Sequence, residues 1–92
     1  MPKRFIKDPD SQVDYVIEWR KRLVDGDYIA KSEFKVPDGL VWISDTYDSD
    51  SAKVWLAGGT AGETYLVTNR IHTGSRPPRI EEESIEIVCQ EK

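Results

Sequence analysis

His72 and Cys89 are the single histidine and the single cysteine of the chain. A Ser/His or Cys/His dyad would have to use His72, because a hydroxyl or thiol nucleophile needs a positioned base. His72 ends an alternating segment on the side of Arg70, away from the apolar set, and reads as a surface residue. Cys89 lies in an apolar alternation near the C-terminus and reads as a small core residue. Zinc takes three or four N or S ligands, more than one His and one Cys supply. Asp45, Asp48 and Asp50 put three carboxylates within a short stretch, and calcium favours such oxygen clusters. The spacing is not that of an EF-hand and no late Glu completes it, so we read a solvated acidic turn; Asp8, Asp10 and Asp14 read the same way. No catalytic, cofactor-binding or metal-binding residues are expected.

Two further groups invite a binding role. Arg20, Lys21 and Arg22 form a compact basic cluster that could meet an acidic partner or act as a set of ion-pair donors. The chain as a whole carries a net charge of −4, which argues against nucleic acid as the main partner. Gly58-Gly-Thr-Ala-Gly62 resembles a phosphate loop only superficially, since no Lys-Ser/Thr follows it and no helix opens after it.

These residues must be held by strands. Ala52, Val54 and Leu56 alternate with Lys53 and Trp55; Tyr65, Val67, Asn69 and Ile71 alternate with Leu66, Thr68, Arg70 and His72. Between the two strands, 52–57 and 64–73, lie three glycines that allow positive φ at little cost. Leu56 followed by Tyr65 fits the E–F corner of an immunoglobulin-like or fibronectin-III-like sandwich, where the Tyr hydroxyl bonds back to the loop backbone. The inward set turns Trp55 outward, beside Leu66 if the strands pair. An outward Trp is an interface anchor or is covered by the N-terminal arm. Trp19 and Trp42 read as core.

Residues 1–12 are expected to be an extended arm, because Pro2 and Pro9 discourage helix. Phe5 and Ile6 within it could form a short edge strand or insert into a partner. Residues 13–19 place Tyr15, Ile17 and Trp19 on one strand face, or Val16, Trp19 and Leu23 on one helical face; the β-branched and aromatic content favours strand. Asp25-Gly26-Asp27 is a turn. Residues 28–36 alternate Tyr28, Ala30, Ser32, Phe34 and Val36 against Ile29 and three charged residues. Pro37-Asp38-Gly39 is a turn, Leu40–Ser44 a short strand, and Asp45–Ser51 an acidic loop. A loop through Pro77-Pro78 leads to the last strand, 81–89, with Ile85, Ile87 and Cys89 inward.

The fold class is therefore all-β: an immunoglobulin-like or fibronectin-III-like antiparallel sandwich of six to seven strands over residues 13–92, preceded by the arm. At 92 residues there is room for one core and little for a catalytic cleft besides. No apolar run has the length to span a bilayer, so no membrane partner is expected. Met1–Asp10 has no long apolar segment after its basic residues and is not expected to be a secretory signal. The lone Cys fits a reducing compartment.

Several segments carry a resemblance. Lys7-Asp-Pro-Asp-Ser11, Asp14-Tyr-Val-Ile-Glu-Trp19, Gly26-Asp-Tyr-Ile-Ala30, Val36-Pro37 with Gly39-Leu40, Val54-Trp-Leu-Ala-Gly-Gly-Thr-Ala-Gly62 and Tyr65-Leu-Val-Thr-Asn-Arg-Ile71 occur in that order. The chain resembles small virion proteins of tailed bacteriophages with an immunoglobulin-like fold, of the fiber–tail adaptor type, over roughly residues 5–73 and more loosely in the last strand. Arg76–Arg79 and Glu81–Glu83 depart from that pattern and leave the register of the last strand open.

The resemblance implies a non-enzymatic virion component, present in several copies, that docks to tail, connector or fiber proteins, self-association in the particle included. Its location would be the virion, and the host cytoplasm during assembly. The candidate contact residues are Phe5, Ile6 and Trp55, with Arg20, Lys21 and Arg22 as charge partners. The competing reading is a generic immunoglobulin-like adhesion module that stacks exposed aromatics on carbohydrate or touches a host surface.

Overall fold

Apolar residues two apart along most of the chain are what a half-buried strand requires, and strands account for nearly all the regular structure. A computed structural model describes residues 2–91. Its strands are β1 (Lys3–Lys7), β2 (Val13–Glu18), β3 (Ile29–Lys35), β4 (Leu40–Tyr47), β5 (Ser51–Gly58), β6 (Thr64–Thr73) and β7 (Ile80–Cys89). A single 3-10 turn, Arg20–Arg22, follows β2.

The strands form two sheets, ordered β1-β7-β6-β3 and β2-β5-β4. All pairs are antiparallel except β1 with β7. The division of β2, β5 and β4 from β3, β6 and β7 is consistent with an immunoglobulin-like sandwich. Lys3–Lys7, expected in the arm, take the edge-strand form of the two considered for that segment.

The core fills the space between the sheets. Tyr15, Ile17, Trp19, Val54 and Leu56 meet Val67, Ile71, Ile85, Ile87 and Cys89, as the alternation predicts. Asn69 is the polar member of this layer and is fully buried. Its Oδ1 accepts the Trp19 indole N–H at 2.8 Å, and its Nδ2 donates to Ser32 Oγ and to the Glu33 carbonyl, both at 2.9 Å. A buried amide is tolerated when its hydrogen-bonding groups are used in this way.

The structure corrects two sequence expectations and resolves two points the sequence left open. The alternation of residues 28–36 breaks at a bulge between Ile29 and Lys31, which puts Ile29 in the core and leaves Ala30 exposed. The acidic loop shrinks, because β4 runs on to Tyr47 and β5 starts at Ser51. The last strand pairs without interruption from Ile80 to Val88 on β6, which closes the question of its register. Finally, β5 and β6 lie in different sheets, so Trp55 is not beside Leu66; its cross-strand partners are Asp14 and Ser44.

Candidate docking surfaces

The corner between β5 and β6 is the rigid reference from which the surfaces are set. Tyr65 Oη accepts the Thr60 backbone N–H at 3.0 Å, the bond of a tyrosine corner. Gly62 N donates to the Cys89 carbonyl at 2.8 Å and Cys89 N donates to the Glu63 carbonyl at 2.9 Å, so the corner is laced to the end of β7. Gly59, at φ +103°, sits where any Cβ would run into Cys89 Sγ. The glycines thus serve close backbone approach.

Lys7 completes this frame, and sequence reasoning did not single it out. It is 1% exposed, and its Nζ donates to the carbonyls of Asp8 (2.9 Å), Ser11 (2.7 Å) and Gly58 (2.7 Å). A cation with three carbonyl acceptors replaces much of its lost hydration and ties the turn after β1 to the end of β5. The signal lay in the alternation itself: Phe5 and Lys7 share the inward parity of β1.

The sequence-predicted contact residues do not converge. Phe5 turns inward against the core, its ring 5.1 Å from that of Tyr15, which burial, then Cys89, then Asp14 push to a higher pKa. Ile6 points out of the four-stranded sheet and is half exposed. Trp55 lies on the outer face of the other sheet and is partly buried. Arg20 pairs with Asp50 at 2.9 Å. Arg22 lies 4.6 Å over the Trp19 ring and reaches Glu83 at 2.7 Å and Glu81 at 3.3 Å. Two of the three basic residues are thereby engaged within the chain, while Lys21 makes no ion pair among the described residues.

Trp42, expected in the core, is 52% exposed. It sits opposite inward-facing Leu56, but β4 is the outermost strand of its sheet and a bulge between Trp42 and Ser44 breaks the alternation. Asp45 Oδ2 holds the indole N–H outside at 2.7 Å. With exposed Val41 and Ile43 on either side, three consecutive large apolar residues face solvent. A second apolar group lies across the molecule, on the outer face of the four-stranded sheet: Ile6 beside Val88, and Leu66 in the adjoining row beside Glu86.

The titratable candidates are dispersed. Asp45 holds Trp42 and Asp50 holds Arg20. Asp48 Oδ1 accepts from Asp50 N, Ser51 Oγ and Ser51 N at 2.8–3.0 Å, and these donors keep its carboxyl below the usual range, Asp50 N first. Among the described residues no cluster of three His, Cys, Asp or Glu is placed to hold a metal ion. His72 is on the outer face, as expected, but only 26% exposed, with Nε2 buried 3.4 Å from Glu33 Oε1 outside hydrogen-bond geometry. It pairs with Ile80 at one end of β7, while Cys89 is buried at the other, about 30 Å away at the strand rise, so these two form no dyad.

Residues 7–88 match the model of the podophage GP4 fiber-tail adaptor protein gp77 family. The chain belongs to this family. The match runs from the end of β1 into β7 and takes in Lys7, Trp19, Tyr65 and Asn69, the residues that fix the frame. The fiber-tail adaptor family is one of phage structural tail proteins, which makes this chain a virion component with a β-sandwich fold. No curated protein matches the sequence.

Proposed function

We propose that this fiber-tail adaptor is a non-enzymatic bridge that docks to two neighbouring virion proteins at once, one on the fiber side and one on the tail side. The observation that carries the reading is the placement of exposed apolar groups at opposite sides of one rigid sandwich. Val41, Trp42 and Ile43 lie at the edge of the three-stranded sheet, and Ile6 and Leu66 on the outer face of the four-stranded sheet. A bridge needs two separate contact areas, and large apolar side chains supply most of the energy of such contacts. Trp55 belongs to the first area and Ile6 to the second; Phe5 supports Ile6 from beneath, and Arg20, Lys21 and Arg22 line the end of β2. The protein would be made in the host cytoplasm and assembled from there, in several copies per particle.

The test is incorporation of variants into purified particles, measured by quantitative mass spectrometry, with thermal melts to show that each variant folds. Trp42→Ser with Ile43→Ser, and separately Ile6→Ser with Leu66→Ser, should each reduce incorporation of the adaptor or of the fiber by at least tenfold. Full incorporation of adaptor and fiber in both folded variants would sink the two-sided reading.

A further inference from the structure

We propose that the end of the sandwich formed by the β2–β3 and β6–β7 loops is a plug, seated in a concave, uncharged recess of a larger neighbouring virion protein. The inference goes beyond the two-sided bridge and needs only that the chain is a virion component. A ten-residue strand such as β7 spans about 33 Å, which only the 44 Å axis of the molecule accommodates, so the loops lie at its two ends. Gly74 N donates to the Tyr28 carbonyl at 3.0 Å, and Arg79 Nη1 lies 3.5 Å from Asp27 Oδ2, which joins the two loops at one end. A depression between them, of about 200 Å³, is lined by Val24, Tyr28, Gly74 and Ser75.

This end is apolar at its surface and fixed in shape before any partner arrives. Val24, Tyr28 and Ile80 are each about half exposed, and Pro77 and Pro78 are exposed at the tip. Thr73 N donates to the Arg79 carbonyl and Arg79 N to Thr73 Oγ1, both at 2.9 Å, which closes the base of the loop 74–79. Within the loop Ser75 Oγ donates to the Pro77 carbonyl at 3.1 Å. A Cβ at Gly74 would run into the Tyr28 ring, so that ring packs directly on the loop backbone. A loop already held in this way loses little freedom on binding. Pro77 and Pro78 carry no N–H, so a dry recess leaves no backbone donor stranded there.

Charge and area choose the occupant. Within the two loops Arg76 and Arg79 balance Asp25 and Asp27. Beside them Arg20, Lys21 and Arg22 stand against Asp48, Asp50, Glu81 and Glu83, an excess of one negative charge. The opposite end carries Asp8, Asp10, Asp38, Glu63 and Glu91 against buried Lys7 alone among the described residues, and its turns hold none of the exposed large apolar side chains. A neutral, apolar partner therefore fits the loop end and not the acidic one. An end of 25 by 18 Å offers a flat partner roughly 350–450 Å², half of the ~800 Å² per side that a stable interface needs. A second copy meeting it end to end falls short in the same way. A recess that also grips the flanks, at Val24 and Ile80, supplies the remaining area. Arg76, in no ion pair among the described residues, is then met by a carbonyl or carboxylate at the rim.

Hydroxyl-radical labelling of the full chain, free and in purified particles, reads the contact without any substitution. Val24, Tyr28 and Ile80 should lose at least fivefold in labelling on assembly. Benzoylphenylalanine placed at position 77 should, on irradiation of particles, join the chain to a virion protein longer than 92 residues. Val24→Ser with Ile80→Ser, shown to fold by thermal melts, should lower incorporation at least tenfold. Undiminished labelling, full incorporation of that variant, or no crosslink except to further copies of this chain would overturn the plug. Particle incorporation also separates the two readings. If Val24→Ser/Ile80→Ser incorporates fully while Trp42→Ser/Ile43→Ser and Ile6→Ser/Leu66→Ser lose incorporation, the plug falls and the bridge stands. If it alone loses incorporation, the bridge falls and the plug stands.

Discussion

Replacing Lys7 with methionine keeps the aliphatic stem and removes only the ammonium. A lysine in a run of five residues with two other basic side chains looks like a surface residue, whose loss would change stability by less than about 0.5 kcal/mol. The structure demands a larger effect. Nζ serves three carbonyls, and of these the Asp8 carbonyl keeps Ser11 N at 3.0 Å and Ser11 Oγ at 2.8 Å. The carbonyls of Ser11 and Gly58 lose the 2.7 Å donor that Lys7 gives each of them. Losing a charge-assisted bond and stranding its acceptor costs about 1–3 kcal/mol per site. Removing the ammonium also removes its own burial penalty, and both residues are only partly buried, which holds the net loss to about 2–3 kcal/mol. For a domain of this size that lowers Tm by roughly 10–20 °C. Urea unfolding followed by tryptophan fluorescence measures it directly, since Trp19 moves from full burial to water. A Lys7→Met midpoint equivalent to less than about 0.5 kcal/mol, at unchanged slope, would refute the account of Lys7 as an internal clamp.

Tyr65→Phe should cost about 1 kcal/mol in the same assay, because the Thr60 N–H loses its acceptor while the ring keeps its packing; an unchanged midpoint would show that the corner bond contributes nothing. For Asp48, whose carboxyl lies below its usual pKa in the fold, the stabilising contribution is complete above the ordinary carboxylate range near pH 4 and is lost as pH falls through the folded value. Asp48→Asn should therefore flatten the decline of Tm between about pH 5 and pH 2.5, and an identical slope would contradict that linkage.

The strands were legible where alternation is local and uninterrupted. Val54 and Leu56, Val67 and Ile71, and Ile85, Ile87 and Cys89 all face inward as their spacing required, because a strand's side-chain period is fixed at two by the backbone itself. The E–F corner was legible for the same reason, and Tyr65 bonds as expected. Bulges were not legible. Each adds one residue to one strand and breaks the alternation at that point, so Ile29 entered the core; Trp42, ahead of the second bulge, left it because β4 is the outermost strand of its sheet.

What the linear chain determined by itself was an all-β sandwich, the inward face of most strands, the tyrosine corner and a likeness to phage adaptors. What only the tertiary structure decided was which surfaces exist. Trp55 and Leu66 are neighbours across the corner in sequence, yet they end on different sheets because β5 and β6 do not pair. Arg20 and Arg22, which the sequence offered either as partner contacts or as ion-pair donors, are engaged by Asp50, Glu81 and Glu83. Lys7, charged and unremarked, became a core clamp, since three carbonyls from two distant segments meet at its Nζ. Inward and outward follow from local periodicity, whereas edge and exposed patch depend on which strands lie side by side, a matter of contacts between residues far apart in the chain.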